Sequence, residues 1–503
     1  MAIRIISKKN LIVGIVILLS TISISAQTFD NNNFKEVDSA LYSEYLSKNW
    51  AEVIRLGKYA DKHNIDYFYL RVRVGIAAFH LEKYSLAAKN LEKALEFNSS
   101  DKAAQLYLYD AYLILGKETK AYKLSKGFNN STLSSLSVKR KIISSIFAGS
   151  AYSFSNNFDN NNKFFLDDAN DSIQGFDVLI GDKSATYAGL SLNFGPSVSL
   201  FTSFNHLEIQ KKINYQYLEV PLAFDSVTQE SWGYQNYYSL DSIYYRKSFD
   251  KTIKQNEIYL NARFQFNKGW AVTPFGNILF ISSSNIISYS EPKTTNYINY
   301  EITGEEPVSF SYEYDEVLFN KLDTTFVNYV VGINIEKDFN NITGSFAGSI
   351  SNINGAKQSQ IGLSAFYFLN SNASLFGFSE ITLFSQRRKR GFSESRVIYR
   401  QKFGGKITSK LWIDGEIIYG NLNNTNIDNG YIVYNQVDDM KYKTSASIKL
   451  FLNKHIELFV QYQYINYESK FIMYTDDDEI NESNTIISNY QTQNIIGGLK
   501  WKF

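Results

Sequence analysis

Cysteine is absent from all 503 residues. That excludes disulfides, thiolate metal sites and a lipid-bearing cysteine behind an export signal. Histidine occurs only 4 times, which leaves little material for imidazole metal sites or general-base catalysis. Charge of one sign is also lacking, since 51 Lys and Arg stand against 50 Asp and Glu; a nucleic-acid binder would show a basic surplus. Beyond the N-terminal stretch no window is apolar enough for a transmembrane helix, so the remaining chain can cross a membrane only as a closed barrel. A mean hydropathy below zero does not oppose this, because only alternate residues of a barrel strand face lipid. What is plentiful is aromatic: 37 Tyr and 37 Phe, as expected where rings form girdles at two membrane interfaces.

Residues 1–26 read as a secretory signal peptide. Arg4, Lys8 and Lys9 supply the basic start, Leu11 to Leu19 the apolar stretch, and Ser25-Ala26 a small-residue cleavage site before Gln27. Ser20, Thr21 and Ser23 break the apolar run short of the ~20 residues a spanning helix needs.

Residues 27–140 read as a helical-repeat domain. Between about Phe34 and Phe128 the text is rich in Ala, Leu, Lys and Glu at helical spacing, clearest from Leu86 to Leu95. Trp50, Tyr84 and Glu118 recur at a period of 34, as do Lys83 and Lys117, which is the tetratricopeptide repeat length. Gly75, Tyr84, Ala87, Leu91 and Ala94 fit the packing positions of a central repeat, with weaker units on either side. Solenoids of this kind bind partners in a concave groove. Tyr69, Arg73, Ile76 and His80, on the first helix of the central repeat, are the partner-binding candidates.

From residue 141 to 503 the period changes to 2. Ile258, Leu260, Ala262, Phe264 and Phe266 alternate with Glu257, Tyr259, Asn261, Arg263 and Gln265. Short links at Gly195-Pro196-Ser197, Asn267-Lys268-Gly269, Asp338–Asn341, Leu369–Asn372, Gly404-Gly405 and Asn453-Lys454 alternate with longer ones. The longer links fall at about 156–183, 216–253, 289–324, 354–357, 385–393, 420–436 and 470–485. Six short and seven mostly long links give fourteen strands, and short periplasmic turns opposite longer outer loops mark a transmembrane barrel. Pro274 falls inside one strand and suggests a bulge near the periplasmic rim. The expected fold is therefore α+β multidomain, an N-terminal tetratricopeptide-like α-helical solenoid followed by a C-terminal antiparallel transmembrane β-barrel of about 14 strands.

Glu257, Arg263, Glu336, Asp414, Glu416, Lys443 and Glu457 fall on the polar face and are the lumen candidates, with Lys441, Lys443 and Lys449 as a basic row. His206 is the one histidine placed where a rim active site could stand, but no Ser or Asp motif accompanies it; no enzyme activity, metal or cofactor is expected. Arg387-Arg388-Lys389-Arg390 suits lipopolysaccharide phosphates. Asp476-Asp477-Asp478-Glu479 lacks the spacing of a calcium loop.

The chain ends Leu499-Lys500-Trp501-Lys502-Phe503, with Leu499, Trp501 and Phe503 on one face. This resembles the terminal signal read by the barrel-assembly machinery. Signal, repeats from Gly75 to Ala94 and terminal barrel together resemble the repeat-bearing outer-membrane proteins: the barrels that export cellulose and poly-N-acetylglucosamine, the YaiO-type proteins and the surface lipoprotein assembly modifiers. The Asn-, Ile-, Lys- and Tyr-rich style resembles Bacteroidota. The resemblance implies an outer-membrane transport or export barrel whose periplasmic repeats recruit a protein partner or cargo, in contact with outer-membrane lipid and lipopolysaccharide. The rival expectation is a non-conducting structural or assembly protein whose barrel is an anchor, favoured if packed side chains or the 289–324 loop fill the lumen.

Overall fold

The computed structural model describes residues 34–128, 142–161 and 175–503, leaving out 220–221, 231–232, 241–242, 300–307, 340, 370–373, 388–392, 437 and 474–484. The signal segment, three of the four residues of the 387–390 basic cluster and the acidic 476–479 cluster lie outside the described residues. Contacts divide the chain into two compact units, residues up to Leu81 with Leu86–Leu108, and Glu82–Ser85 with Tyr109–Phe503.

Six helices are described in the N-terminal stretch: α1 (Phe34–Leu46), α2 (Trp50–Lys62), α3 (Phe68–His80), α4 (Tyr84–Phe97), α5 (Lys102–Ile114) and α6 (Glu118–Ser125). First helices of the pairs start at 34, 68 and 102 and second helices at 50, 84 and 118, so both sets keep a spacing of 34 residues. The pairs close because small residues stand where the helices meet. A Cβ on Gly75 of α3 would come within 2.6 Å of Leu91 Cγ on α4, and one on Gly57 of α2 within 2.5 Å of a Val74 methyl on α3. Leu70, Ala77, Ala87, Leu91 and Ala94 are fully buried around these contacts. Beneath them Arg71 is buried with its guanidinium donating to Asp66 and Asp61, both at 2.6 Å, and to Asn90 at 3.0 Å. Such a cation is tolerated only because each of its faces finds an acceptor.

Fourteen strands close into one antiparallel barrel: β1 (Ile143–Ser155), β2 (Gly175–Phe194), β3 (Val198–Glu219), β6 (Ile243–Gln265), β7 (Trp270–Asn299), β8 (Val308–Asp338), β9 (Ile342–Ser351), β10 (Lys357–Phe368), β11 (Leu375–Arg387), β12 (Ser393–Lys406), β13 (Leu411–Tyr419), β16 (Asp439–Phe451), β17 (Ile456–Met473) and β18 (Thr485–Lys502). β18 pairs back onto β1, from Ser145 opposite Lys502 to Ser155 opposite Thr492. Two small hairpins lie outside this ring, β4 (Leu222–Glu230) with β5 (Gly233–Leu240), and β14 (Thr425–Ile427) with β15 (Ile432–Tyr434). Because side chains alternate across a strand, β6 exposes Ile258 and Leu260 outward and buries Tyr259 and Glu257 inward. Ile278 and Phe280, Val331 and Ile333, Ile361 and Leu363, and Ile381 and Leu383 continue the apolar exterior. A closed, even-numbered barrel with an apolar outer band is the architecture of an outer-membrane β-barrel.

Four expectations from sequence are corrected. Most of the 289–324 link is strand: β7 and β8 run on as a paired ribbon from Ser284 opposite Asp323 out to Asn299 opposite Val308. Likewise β3 and β6 stay paired to Glu219 opposite Ile243, and the β4–β5 hairpin lies between them in sequence. Gly404 and Gly405 lie within β12, and the turn follows them. Pro274 causes no bulge. β6 and β7 keep one register from Phe264 opposite Val272 to Asn261 opposite Phe275, with the rungs between them unmade, as a residue without an N–H requires.

Candidate functional site

The link between β13 and β16 turns into the barrel. Its hairpin, β14–β15, pairs Thr425 with Tyr434 and Ile427 with Ile432. Asp428, Asn429 and Gly430 at its tip all have left-handed backbones, which Asp, Asn and Gly accept at least cost. Partners for it come from every side of the lumen. The Tyr259 hydroxyl donates to the Asn429 carbonyl and the Asn277 amide to the Gly430 carbonyl, both at 3.0 Å. Gln360 donates to the Asn426 carbonyl at 2.9 Å while its own carbonyl accepts the Asn426 N–H at 2.8 Å. The Asn424 amide donates to Gln386 at 2.8 Å, the Asn435 amide to Gln255 at 2.6 Å, and Lys443 to the Tyr434 hydroxyl at 3.0 Å. Apolar contacts add to these: Ile427, Ile432 and Tyr434 join Phe384, Ile398 and Ile418, and Tyr431 and Val433 pack on Tyr259, Phe275 and Val330.

At the hairpin tip stands an ionic knot. Arg400 of β12 contacts Asp428 at 2.6 Å, Glu416 at 2.7 Å and Glu380 at 3.5 Å, and its guanidinium lies 5.2 Å from the Phe378 ring centre. Beside the tip a cavity of about 340 Å³ runs along the wall of β9–β11, where Ser345, Ala347, Gly362 and Ser364 leave room. A separate space of about 30 Å³ lies beside Ser349, Gln360 and Asn426. Toward the short-turn end a vestibule of about 510 Å³ opens under Asp428, walled by Phe366, Phe376, Trp412 and Phe451.

The lumen candidates read from sequence are placed as follows. Glu257 accepts from Gln255 at 2.5 Å and Asn205 at 3.2 Å, and Arg263 pairs with Glu336 across β7. Asp414 holds Lys402 at 2.8 Å and Lys449 at 3.6 Å, Glu416 belongs to the Arg400 knot, and Glu457 holds Lys502 at 2.8 Å. Lys443 meets the hairpin. The basic row is broken: a register shift between Met440 and Tyr442 turns Lys441 outward to Glu468 at 3.0 Å. Leu499, Trp501 and Phe503 lie exposed on the outer face, with His455 stacked on Trp501. His206 bonds Asn256 at 2.8 Å and stands 3.6 Å from Glu208. Arg400, Asp428, Gln360 and Asn426 were not singled out in sequence; the Asp428-Asn429-Gly430 turn signal marks a hairpin there without saying that it folds inward.

In the helical unit Tyr69 is 60% exposed. It and Tyr42 flank the Arg73 guanidinium, with ring centres 5.4 and 4.6 Å away, and Arg73 also binds Asp38 at 2.6 Å. His80 stacks on Trp50 at 4.7 Å. Ile76 is corrected: it is buried, spent on packing between helices, and presents nothing to a partner.

No family model matches the sequence, and no curated protein matches it. Among solved structures the chain is similar to a Pseudomonas aeruginosa FadL homologue at 9% identity, over 76% of this chain and 93% of that one, with a TM-score of 0.36. It is similar to the P. putida toluene transporter TodX at 8% identity, over 76% and 94%, with a TM-score of 0.33. An anion-selective porin from Comamonas acidovorans is similar at 8% identity, over 72% and 98%, with a TM-score of 0.28.

Proposed function

We propose that this protein is an outer-membrane transport channel of the repeat-bearing, Bacteroidota-like kind, closed at rest by its own β14–β15 hairpin. The carrying observation is the incomplete fit of that hairpin. It is packed against β6–β8, β12, β13, β16 and β17 and bracketed by Gln360 and Gln386 of β10 and β11, yet beside its tip the small side chains of Ala347, Gly362 and Ser364 leave a polar cavity of about 340 Å³, with a further small space beside the Gln360–Asn426 bracket. A structure meant only to fill the barrel would have large side chains there. The helical repeats, with Tyr69 and His80 exposed and Arg73 held between Tyr42, Tyr69 and Asp38, serve in this reading as a periplasmic tetratricopeptide-like module that recruits a partner protein or cargo. The terminal strand is the segment read during barrel assembly, and no catalysis is assigned.

A second reading has its own support. The apolar packing of Ile427, Ile432, Tyr431 and Val433 suits a permanently filled barrel that anchors the repeats. Planar-bilayer recordings decide between the two. The wild-type chain should show low, flickering conductance, and replacing residues 421–436 by a short Gly-Ser link should give a steady open level. Silence from both proteins, with the barrel shown folded by heat-dependent gel mobility, would leave the anchor.

A further inference from the structure

The vestibule under the hairpin is polarised along the barrel axis. At its deep end Arg400 and Asp428 line the space, Glu380 reaches the same guanidinium from the adjoining cavity of about 340 Å³, and Glu416 pairs with it from a buried position, so around this one cation negative charge is in surplus. Toward the short-turn rim two ammonium groups, Lys402 and Lys449, share the carboxylate of Asp414, and positive charge is in surplus. Arg400 and Lys402 are two residues apart on one strand, which separates the two ends by about 7 Å.

Between and beside these ends lies an aromatic wall. Phe366 and Phe376 stack with centroids 5.6 Å apart and an interplanar angle of 24°, and Trp412 follows 6.5 Å from Phe376. The row crosses three strands only because Gly404 has no side chain. A Cβ there would stand 2.5 Å from Phe376 Cζ and 2.7 Å from Asp414 Cβ. The glycine therefore lets the ring reach across β12 toward Trp412. Aromatic rings in a water-facing cavity of about 510 Å³ present a surface for an apolar group.

We propose that this vestibule binds zwitterionic short peptides with an aromatic or large apolar side chain. The peptide ammonium is held at the Asp428–Glu380 end, where the vestibule adjoins the cavity along β9–β11, the carboxylate at Lys402 and Lys449, and the side chain on Phe376 and Trp412. An extended dipeptide separates its terminal charges by about 7 Å, matching the two ends, whereas a free amino acid is too short. The inference deepens the channel reading by naming its solute class, and rests on it only for the claim that the solute passes through.

The test is calorimetric titration of the full chain in a nonionic polyoxyethylene detergent with phenylalanyl-alanine, its N-acetyl form, its C-terminal amide, and maltotriose. The free dipeptide should bind, and blocking either terminus should weaken it about tenfold. Lys402→Gln should erase the preference for a free carboxylate while keeping that for a free ammonium, and Glu380→Gln should do the reverse; general damage to the barrel produces neither pattern. Equal binding of free and blocked peptides, or binding of maltotriose in their place, overturns the inference. Peptide binding without conductance would sink the passage and leave the site. Conductance without peptide binding would do the opposite.

Discussion

Arg400 on the barrel wall and Asp428 on the inward hairpin meet at 2.6 Å, joining the fixed and the insertable parts of the lumen by one ion pair. Asp428 is partly open to solvent, which limits the pair to about 1 kcal/mol. Replacing Asp428 by Asn leaves Arg400 with Glu416 and Glu380, so the barrel should keep its stability while the hairpin loosens. In single-channel recordings the open fraction should rise roughly fivefold. An unchanged record would show that the ion pair does not latch the hairpin.

Asn426 and Gln360 form the narrowest polar contact on the side of the small-residue wall. Asn426→Ala removes the side-chain part of that bracket and its bond to Ser349 at 3.1 Å. Passage of small uncharged solutes into proteoliposomes should become faster, with Gln360→Ala behaving alike. If both variants swell no faster than wild type, the route does not run along β9–β11.

Gly404→Val puts branched carbon where Phe376 and Asp414 already stand. Overpacking of this kind costs about 1–3 kcal/mol and pushes the Phe376 ring away from Trp412. Thermal unfolding followed by heat-dependent gel mobility should shift downward, and the Trp412 emission should change. The neighbouring Gly415, with only the Ser445 carbonyl at 3.8 Å, should accept Ala without either effect.

In the helical unit Arg71 is the hub of Asp61, Asp66 and Asn90. Arg71→Met keeps bulk but loses the charge-assisted bonds, for an expected loss of about 2 kcal/mol read from the helical transition in circular dichroism. The Arg71 hydrogen bond holds the Asp66 carboxyl below the ordinary carboxylate range, against the opposing effect of burial. Its folded pKa is thus depressed, so its contribution is complete above the unfolded value near 4 and fades as pH falls through the folded one. The acid transition of the helical unit should move up in pH in Arg71→Met, and an unmoved transition would remove Asp66 from the account.

The sequence shows the barrel best where one face of a strand meets lipid. Ile258 and Leu260 against Tyr259 and Glu257 alternate because the two faces meet different media. The same rule explains the misread segment from 289 to 324: a two-stranded ribbon has no buried face to enforce alternation, so its text looks like a loop. Residues 420–436 form the link that the sequence suggests, but its inward course is not legible for another reason. Asn421, Asn423, Asn424 and Asn426 are composed like any solvated loop, and what draws them inward is a set of amides, Gln255, Asn277, Gln360 and Gln386, scattered over four strands. Complementarity of that kind has no local spacing to read. Gly404 reads as a turn residue because glycine is common in turns, whereas in the fold it clears space for a ring.

Pro274 divides the barrel wall in a way that bears on its endurance. With two rungs missing between β6 and β7, the wall there is held across β7 by the Arg263–Glu336 pair on the inner face. Under deuterium the one amide of Ala262 and Arg263 that faces β7 should exchange ahead of its neighbours, while the other stays protected by its pairing with β3. Under steady tension from a pulled β6, separation should begin at this line, as a perforated sheet tears first along its holes.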